Sequence, residues 1–480
     1  MTKALESDTL PTHPPTVDRR STRLALLVAC GAAFVAFLDL SVVNIAFPSI
    51  ADDFTSVPTT TLTWVVSAYA VAFAAFLTPA GRFADTLGRK RVFLGALIGF
   101  ALTSLLCALA PDVSWLIAGR VLQGASASLM IPAGLGLVLG VTAPERIGTA
   151  IAAWTAAGGF AATVGPGIGG ALVDWFGWRS VFMINVPVVA ALVAVGVLIA
   201  ADVPRGGRGL PDLVGTVATA LGIGAVVAAV TEGQQWDWDW RTWLCVGAGA
   251  LLLAVALVRS RRHPRPAIPV SLWRNREYAL TNAASFVFGV TMFAWLLAGP
   301  LWLDAIWGFS VLESAAAMSV GAIAAMVGAV VAGRASAATQ RSLGVIGALL
   351  FAASTLYMST DMWGAEPALW SAWVPAGVLG GAGIGMVITV LGTSAASSSP
   401  PQQFAAGIGM NLTSRQAGGA LGVAILAAIL AADPGRPLTA FHTLFAVCAA
   451  VALAAAASIA IPTRTIPTAI ITTPAEETNR

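Results

Sequence analysis

The run from Leu24 to Pro48 contains one charged side chain, Asp39. Runs like it recur along the whole chain, and this recurrence limits the fold more than any other feature. A bilayer core of ~30 Å is crossed by about 20 apolar residues wound as a helix. Fourteen segments qualify, roughly 24–47, 60–80, 92–110, 113–140, 147–173, 178–201, 211–231, 240–258, 278–303, 311–333, 342–359, 367–395, 404–431 and 438–461. Gly and Pro interrupt many of them, which membrane helices tolerate because neighbours and local adjustment re-satisfy the freed backbone groups. Only 10% of the residues are charged, against about 25% in a water-soluble domain. Such a chain cannot cover a water-facing surface. The expected fold class is an all-α integral membrane protein with fourteen transmembrane helices.

Charge supports the count. If the N-terminus is cytoplasmic, alternate connections face the cytoplasm, and about 21 of the 26 Lys and Arg fall in them. About three fall on the opposite side, as the positive-inside rule requires. The remaining two, Arg120 and Arg415, lie within spans, and the acidic stretch "TEGQQWDWDW" falls outside. Both termini are therefore expected in the cytoplasm. Trp64, Trp115, Trp178, Trp243, Trp273 and Trp302 sit near span ends, where interfacial aromatics belong. The first apolar run starts too late and is too long for a cleaved leader, so it reads as a retained span.

Several functions are disfavoured. A net charge of +3 is no footprint for nucleic acid. The cysteines at 30, 107, 245 and 448 lie scattered in apolar runs, and the histidines at 13, 263 and 442 lie in tails or connections, so no metal site is expected. There is no G-x-x-x-x-G-K-[ST] loop for ATP. No nucleophile–base constellation suggests an enzyme.

An internal echo joins "VLQGASASLM" (121–130) to "VLGGAGIGM" (378–386), in the fourth and twelfth spans. Two six-helix halves with a pair inserted between them would put these runs in equivalent places. Repeated halves are a transporter signature, with the substrate site at their interface. The chain then divides into a tail at 1–22, a bundle at 23–202, an inserted pair at 203–262, a second bundle at 263–461 and a tail at 462–480.

Four motifs carry chemistry. "GRFADTLGRKR" puts Gly81, Asp85, Gly88, Arg89 and Lys90 in a short turn, where Asp85 can meet Arg89 or Lys90 or cap a helix N-terminus. "IAGRVLQGASAS" places Arg120 inside a span, a functional site by default, unless it snorkels to the interface. "AATVGPGIGGAL" kinks the fifth span at Pro166, and Gly165, Gly169 and Gly170 open a groove for a neighbouring helix. "FLDLSVVN" buries Asp39, which either carries a proton or pairs structurally with Arg120 or Arg415. Asn44, Gln123, Asn411 and Arg415 are further polar groups inside spans and candidates to line a substrate cavity. Asp304 and Glu313 flank a short outer connection, either solvated or lining a vestibule.

The first of these resembles the signature loop of the major facilitator superfamily, G-x-x-A-D-x-x-G-R-K-x. "GPGIGG" resembles the superfamily's antiporter motif, with Ala161 at its first Gly. "LDLSVVNIAFP" resembles the first span of the fourteen-span drug:proton antiporters, with Ser41 for Thr and Phe47 for Leu. "WRSVFMINVP" and "GMNLTSRQAGGALG" look like that subfamily's sixth-span entry and thirteenth span. The resemblance implies two six-helix bundles plus two inserted central helices. It also implies alternating access, a gating latch pivoting on Asp85, and proton coupling through Asp39 with Arg120 as modulator. It implies export of small amphipathic or cationic organic compounds, as in multidrug or antibiotic efflux. A dedicated exporter of one natural product or lipid remains open, and a proton symporter is disfavoured by "GPGIGG". The proton gradient would be the energy source, with no cofactor or metal. The expected partners are small-molecule substrate, protons and the lipid bilayer, with no nucleic acid, and a monomer is the expected state. The Ala-rich, Arg-over-Lys composition points to a bacterium, hence to its cytoplasmic (inner) membrane.

Overall fold

The computed structural model describes residues 19–199, 212–233, 236–264, 266–432 and 435–462. The expected tails apart from residues 19–22 and 462, the whole connection "PRGGRG" and the sidedness of the termini lie outside them. Fourteen helices among the described residues are long and apolar enough to cross a membrane. The first bundle holds α1 (Arg19–Asp53), α2 (Trp64–Leu87), α3 (Arg89–Ala108), α4 (Val113–Gly140), α5 (Ile147–Phe176) and α6 (Asn185–Val197). The inserted pair is α7 (Leu213–Glu232) and α8 (Trp240–Arg262). The second bundle holds α9 (Arg276–Ala305), α10 (Val311–Arg334), α11 (Ala337–Met358), α12 (Val374–Ser397), α13 (Phe404–Ala432) and α14 (Pro437–Ala460).

Helix ends follow local chemistry. Asp112, Asp212, Asp239 and Asn275 accept backbone N–H bonds at the starts of α4, α7, α8 and α9, satisfying donors that the first turn leaves free. Ser310 and Glu313 form a reciprocal capping box on α10, so Glu313 serves a helix start. Gly88 alone separates α2 from α3, and its φ of 105° is one that a side chain would oppose. Two ends differ from expectation. α1 runs on past Pro48 to Asp53, and α7 continues through Glu232, which the sequence places in an outer connection. His442, expected in a connection, lies within α14 because the helix starts at Pro437.

Each bundle packs around its own core, and the two meet along α2 with α13, α4 with α13, and α5 with α10 and α12. The meeting surfaces are made of small residues. A Cβ on Gly148 would press on Gly333, and one on Gly409 would come within 2.6 Å of the Leu77 carbonyl, so backbones touch where side chains would hold them apart. The inserted helices cross closely through Gly222 and Gly249, and α7 lies against both α2 and α13. Trp178, Trp302 and Trp363 differ from an interfacial belt, being 3%, 0% and 0% exposed.

Candidate functional site

The polar centre lies inside the first bundle. Asp39 of α1 and Arg120 of α4 are both fully buried and pair at 2.5 Å (Arg120 Nη1 to Asp39 Oδ2). Gln123, one turn on from Arg120, donates from Nε2 to Asp39 Oδ1 at 2.9 Å and accepts from Arg120 Nη1 at 2.7 Å. Asn185 of α6 donates to the same Asp39 Oδ1 at 2.8 Å. The Ser104 hydroxyl of α3 accepts from both amides and donates to the Phe182 carbonyl. Arg120 Nε donates to the Val65 carbonyl of α2 at 2.9 Å, and its guanidinium lies 4.4 Å from the centroid of the Tyr69 ring. Five helices thus contribute to one network, in which α4 and α6 supply the donors to Asp39, and Arg120 Nη2 is its one group without an acceptor among the described residues.

This geometry decides between the sequence's alternatives. Arg120 does not snorkel. Asp39 pairs with Arg120 and not with Arg415. Gln123, expected to line a cavity, is enclosed in the Asp39 network because three members of that network, Asp39, Arg120 and Ser104, claim its amide. Low dielectric strengthens a fully satisfied network and makes an orphaned member costly. Ser104 and Asn185 were not singled out in the sequence. Asn185 carried a signal, as the lone amide of "MINVP" inside an apolar run, whereas Ser104 carried none.

The second cluster sits where α2 turns into α3, here called the loop end. Asp85 Oδ1 accepts from Arg89 Nε at 2.9 Å and Nη2 at 2.7 Å. Across the seam, Asp85 Oδ2 accepts the Ala406 N–H at 2.8 Å, and Oδ1 lies 3.4 Å from the Ala405 nitrogen. These amides open α13, so a carboxylate of one bundle caps a helix of the other, where the helix dipole favours it. Arg89 also donates to the Gly136 carbonyl at 3.0 Å and to the Pro401 carbonyl of the second bundle. Gly81 lies flush on the Ala405–Ala406 backbone. Lys90 turns the other way, to the Val197 and Ile199 carbonyls of its own bundle.

Along α5 the bundles touch through Gly148, Thr149 and Ala152 against Gly333, and through Gly159 near Met326. Beyond that, Gly165 and Gly169 turn onto Ser41 and Val42 of α1, while Gly167 and Gly170 face open space. Pro166 lies within α5 at this change of partner. Along α5 the bundles therefore meet in its loop-end half, whereas its far half packs on α1. Between the bundles the Thr78 hydroxyl donates to that of Thr413 at 2.7 Å.

The remaining candidates are not gathered in one place. Asn44 is exposed and donates to the Leu40 carbonyl of its own helix. Asn411 is buried and donates to Ser285 Oγ at 2.7 Å between α13 and α9. Arg415 is buried, and its backbone abuts Gly289. No carboxylate among the described residues is within ion-pair reach of it. Outside the spans, Asp212 holds the start of α7. Burial works against its charge, but the Gly215 N–H and Arg259 outweigh it and keep the carboxyl below the usual range.

A sequence profile described as Major Facilitator Superfamily matches residues 29–341. A probable actinorhodin transporter of Streptomyces coelicolor is 31% identical over 439 residues, 89% of this chain and 75% of that protein. The puromycin resistance protein pur8 of Streptomyces alboniger is 34% identical over 410 residues, 84% of this chain and 80% of that one. The tetracenomycin C resistance and export protein of Streptomyces glaucescens is 31% identical over 416 residues, 85% and 76%. Among solved structures, the human organic anion transporter MFSD10 (TETRAN) superposes with a TM-score of 0.68 over 93% of this chain and 100% of its own, at 14% identity. That likeness concerns the fold.

Proposed function

The chain belongs to the major facilitator superfamily, and on that premise we propose that it is a proton-coupled antiporter exporting small amphipathic or cationic organic compounds. It is a multi-pass membrane transporter and not an enzyme. Its partners include a small-molecule substrate and the bilayer. Proton drive, monomeric action, a cofactor-free cycle, a bacterial inner-membrane location and cytoplasmic termini are parts of the proposal. The charge bias of the connections makes the loop end the cytoplasmic one.

One observation carries the mechanism: a fully buried carboxylate, Asp39, held by three donors from two other helices, Arg120 and Gln123 of α4 and Asn185 of α6. Protonation of Asp39 would remove its attraction to Arg120 and free the guanidinium, Gln123 and Asn185 to re-pair. A proton would thereby loosen the contact among α1, α4 and α6. The loop-end latch at Asp85 supports a state closed to the cytoplasm, in which substrate leaves and a proton enters from outside. Rocking about the small-residue seams would open the other side. Domain boundaries near 202 and 262 follow from the same division of labour.

Substrates of the antibiotic type are supported by the relatives' names. A second reading, a dedicated exporter of one natural product, is favoured because several of those names carry a single compound. A panel of toxic compounds in a sensitive host expressing the chain, with Asp39→Asn alongside, separates the two. Protection against many unrelated compounds means breadth, and protection against one means dedication. Protection by Asp39→Asn equal to that of wild type would sink proton coupling through Asp39.

A further inference from the structure

Glu232 is a carboxylate for which the Asp39 mechanism has no use. It ends α7, two residues past the apolar segment Leu213–Val230. It is 1% exposed, and both carboxylate oxygens are enclosed without a hydrogen-bond partner among the described residues. The Ser67 hydroxyl of α2 is its polar neighbour but does not reach hydrogen-bond geometry. Among the described residues no cation faces it from the helices packed around it. α2 has no charged residue before Arg82, and α13 has none after Arg415. On α8 the first is Arg241, which is exposed and turned to Asp239 at 3.6 Å. In the turn itself Asp237 is exposed. A carboxylate ion enclosed without a partner or counter-charge is strongly disfavoured, and the group takes its neutral form instead.

The surroundings of Glu232 are also placed to change. α7 lies across the seam, against α2 of the first bundle and α13 of the second. At the loop end the inserted pair is fastened to itself by Asp212 and Arg259 at 2.7 Å. At the far end Trp236 and Trp238 donate backbone bonds to the Glu232 and Gly233 carbonyls, and the Trp238 ring lies against Gly233. Asp237 and Trp238 both sit at φ 50°, a left-handed conformation rare for such residues. On the same stretch of α2, Val65 receives Arg120 and Ser67 lies beside Glu232. Movement of α2 therefore disturbs both carboxylates together.

We propose that Glu232, supplied by the inserted pair, is a second proton-binding site, holding a proton while α2 covers it and releasing it when the bundles shift and water enters. This deepens the proton-coupled reading and rests on it for its consequence in transport. The binding claim stands apart and is tested directly by infrared spectroscopy of the purified protein in lipid vesicles at neutral pH. Among the described glutamates, Glu145, Glu313 and Glu366 are exposed and Glu277 is half-buried. A protonated-carboxyl band that moves when the protein carries isotope-labelled glutamate is thus expected from Glu232. It should be absent in Glu232→Gln and persist in Asp39→Asn. No glutamate-dependent band in wild type, or one that survives in Glu232→Gln, overturns the proposal. The labelled wild type keeps the test decisive even if Glu232→Gln does not fold. In transport, Glu232→Gln should shift the pH profile of proton-driven accumulation and leave downhill exchange in place. An unmoved profile overturns the link to the cycle. Asp39→Asn that still accumulates substrate would break the Asp39 reading without touching the infrared result.

Discussion

The two bundles share one plan of six helices but have opposite interiors. The first closes around Asp39, Arg120, Gln123, Asn185 and Ser104, every one of them buried. The second closes around rings. Trp302 stands 5.4 Å from both Trp363 and Phe441, and Trp307 stacks on Trp363 at 5.8 Å. Only some of these indoles find acceptors. Trp373 donates to the Ala317 carbonyl and Trp307 to that of Gly364, while the Trp302 and Trp363 N–H groups have none among the described residues. A helix satisfies its own backbone, so the bundle plan is indifferent to what fills the middle. The difference lies in what each middle can do. A charged network changes when a proton arrives, and an aromatic one offers bulk and geometry. On the proposed reading, one bundle would sense the proton while the other serves as the body it moves against.

The largest expected effect comes from Asp39→Asn. Proton-driven accumulation in everted vesicles should vanish, while downhill exchange persists. The change also strands Arg120, and breaking a buried pair on one side costs about 3–5 kcal/mol, visible in the melting curve. Adding Arg120→Gln should restore stability but not coupling. A well-folded Asp39→Asn with wild-type accumulation would show that the polar bundle does not sense protons there. Next is the latch. Asp85→Asn weakens charge-assisted bonds worth about 1.5–3 kcal/mol, so transport should slow by roughly tenfold or more, with substrate binding to the purified protein intact. Gly88→Val should act alike, because valine resists φ 105°. Lost binding in a folded variant would refute the gating role. In the aromatic bundle, Trp302→Ala should lower stability by about 3–5 kcal/mol yet leave the pH dependence of transport per folded molecule unchanged. A shifted pH profile would mean that the aromatic bundle also takes part in sensing.

The fourteen helices were legible because a span is a one-dimensional signal: length and apolarity suffice. Asp39 and Arg120 were legible as charges where none belong, and their pairing was one of two options that spacing left open. The latch was readable because Gly81, Asp85, Gly88 and Arg89 form a compact pattern, although its partner, the start of α13, lies more than 300 residues away. Depth and partner were not legible where the sequence offers only an average. Trp302 and Trp178 looked like interfacial anchors, since position near a span end does not say which way a ring turns. Glu232 looked like a loop residue because it stands beside "GQQ" and acidic neighbours. Its burial depends on α2 lying over it, which is long-range packing.

The smallest expected effect lies in the turn of the second bundle that corresponds to the latch. "GRASAATQRS" keeps Gly333 and Arg334 but has no aspartate. Its contact with the first bundle uses the Gly333 carbonyl, which accepts from Thr149 at 3.0 Å, and backbone packed against Gly148. Arg334 is exposed and in no ion pair among the described residues. Surface changes away from such features stay within about 0.5 kcal/mol, so Arg334→Ala should alter transport by roughly twofold at most. Gly333→Val should behave otherwise, because its side chain would press into Ala152 and the Gly148 backbone. The pair of variants, measured as initial transport rates in vesicles beside Asp85→Asn, asks whether the two bundles latch by the same chemistry. If Arg334→Ala slowed transport as much as Asp85→Asn, the latch would be two-sided in charge, and the bundles would differ only in their interiors. If only Gly333→Val does so, the second turn contributes a close backbone surface, and the charge that holds the loop end shut belongs to the first bundle.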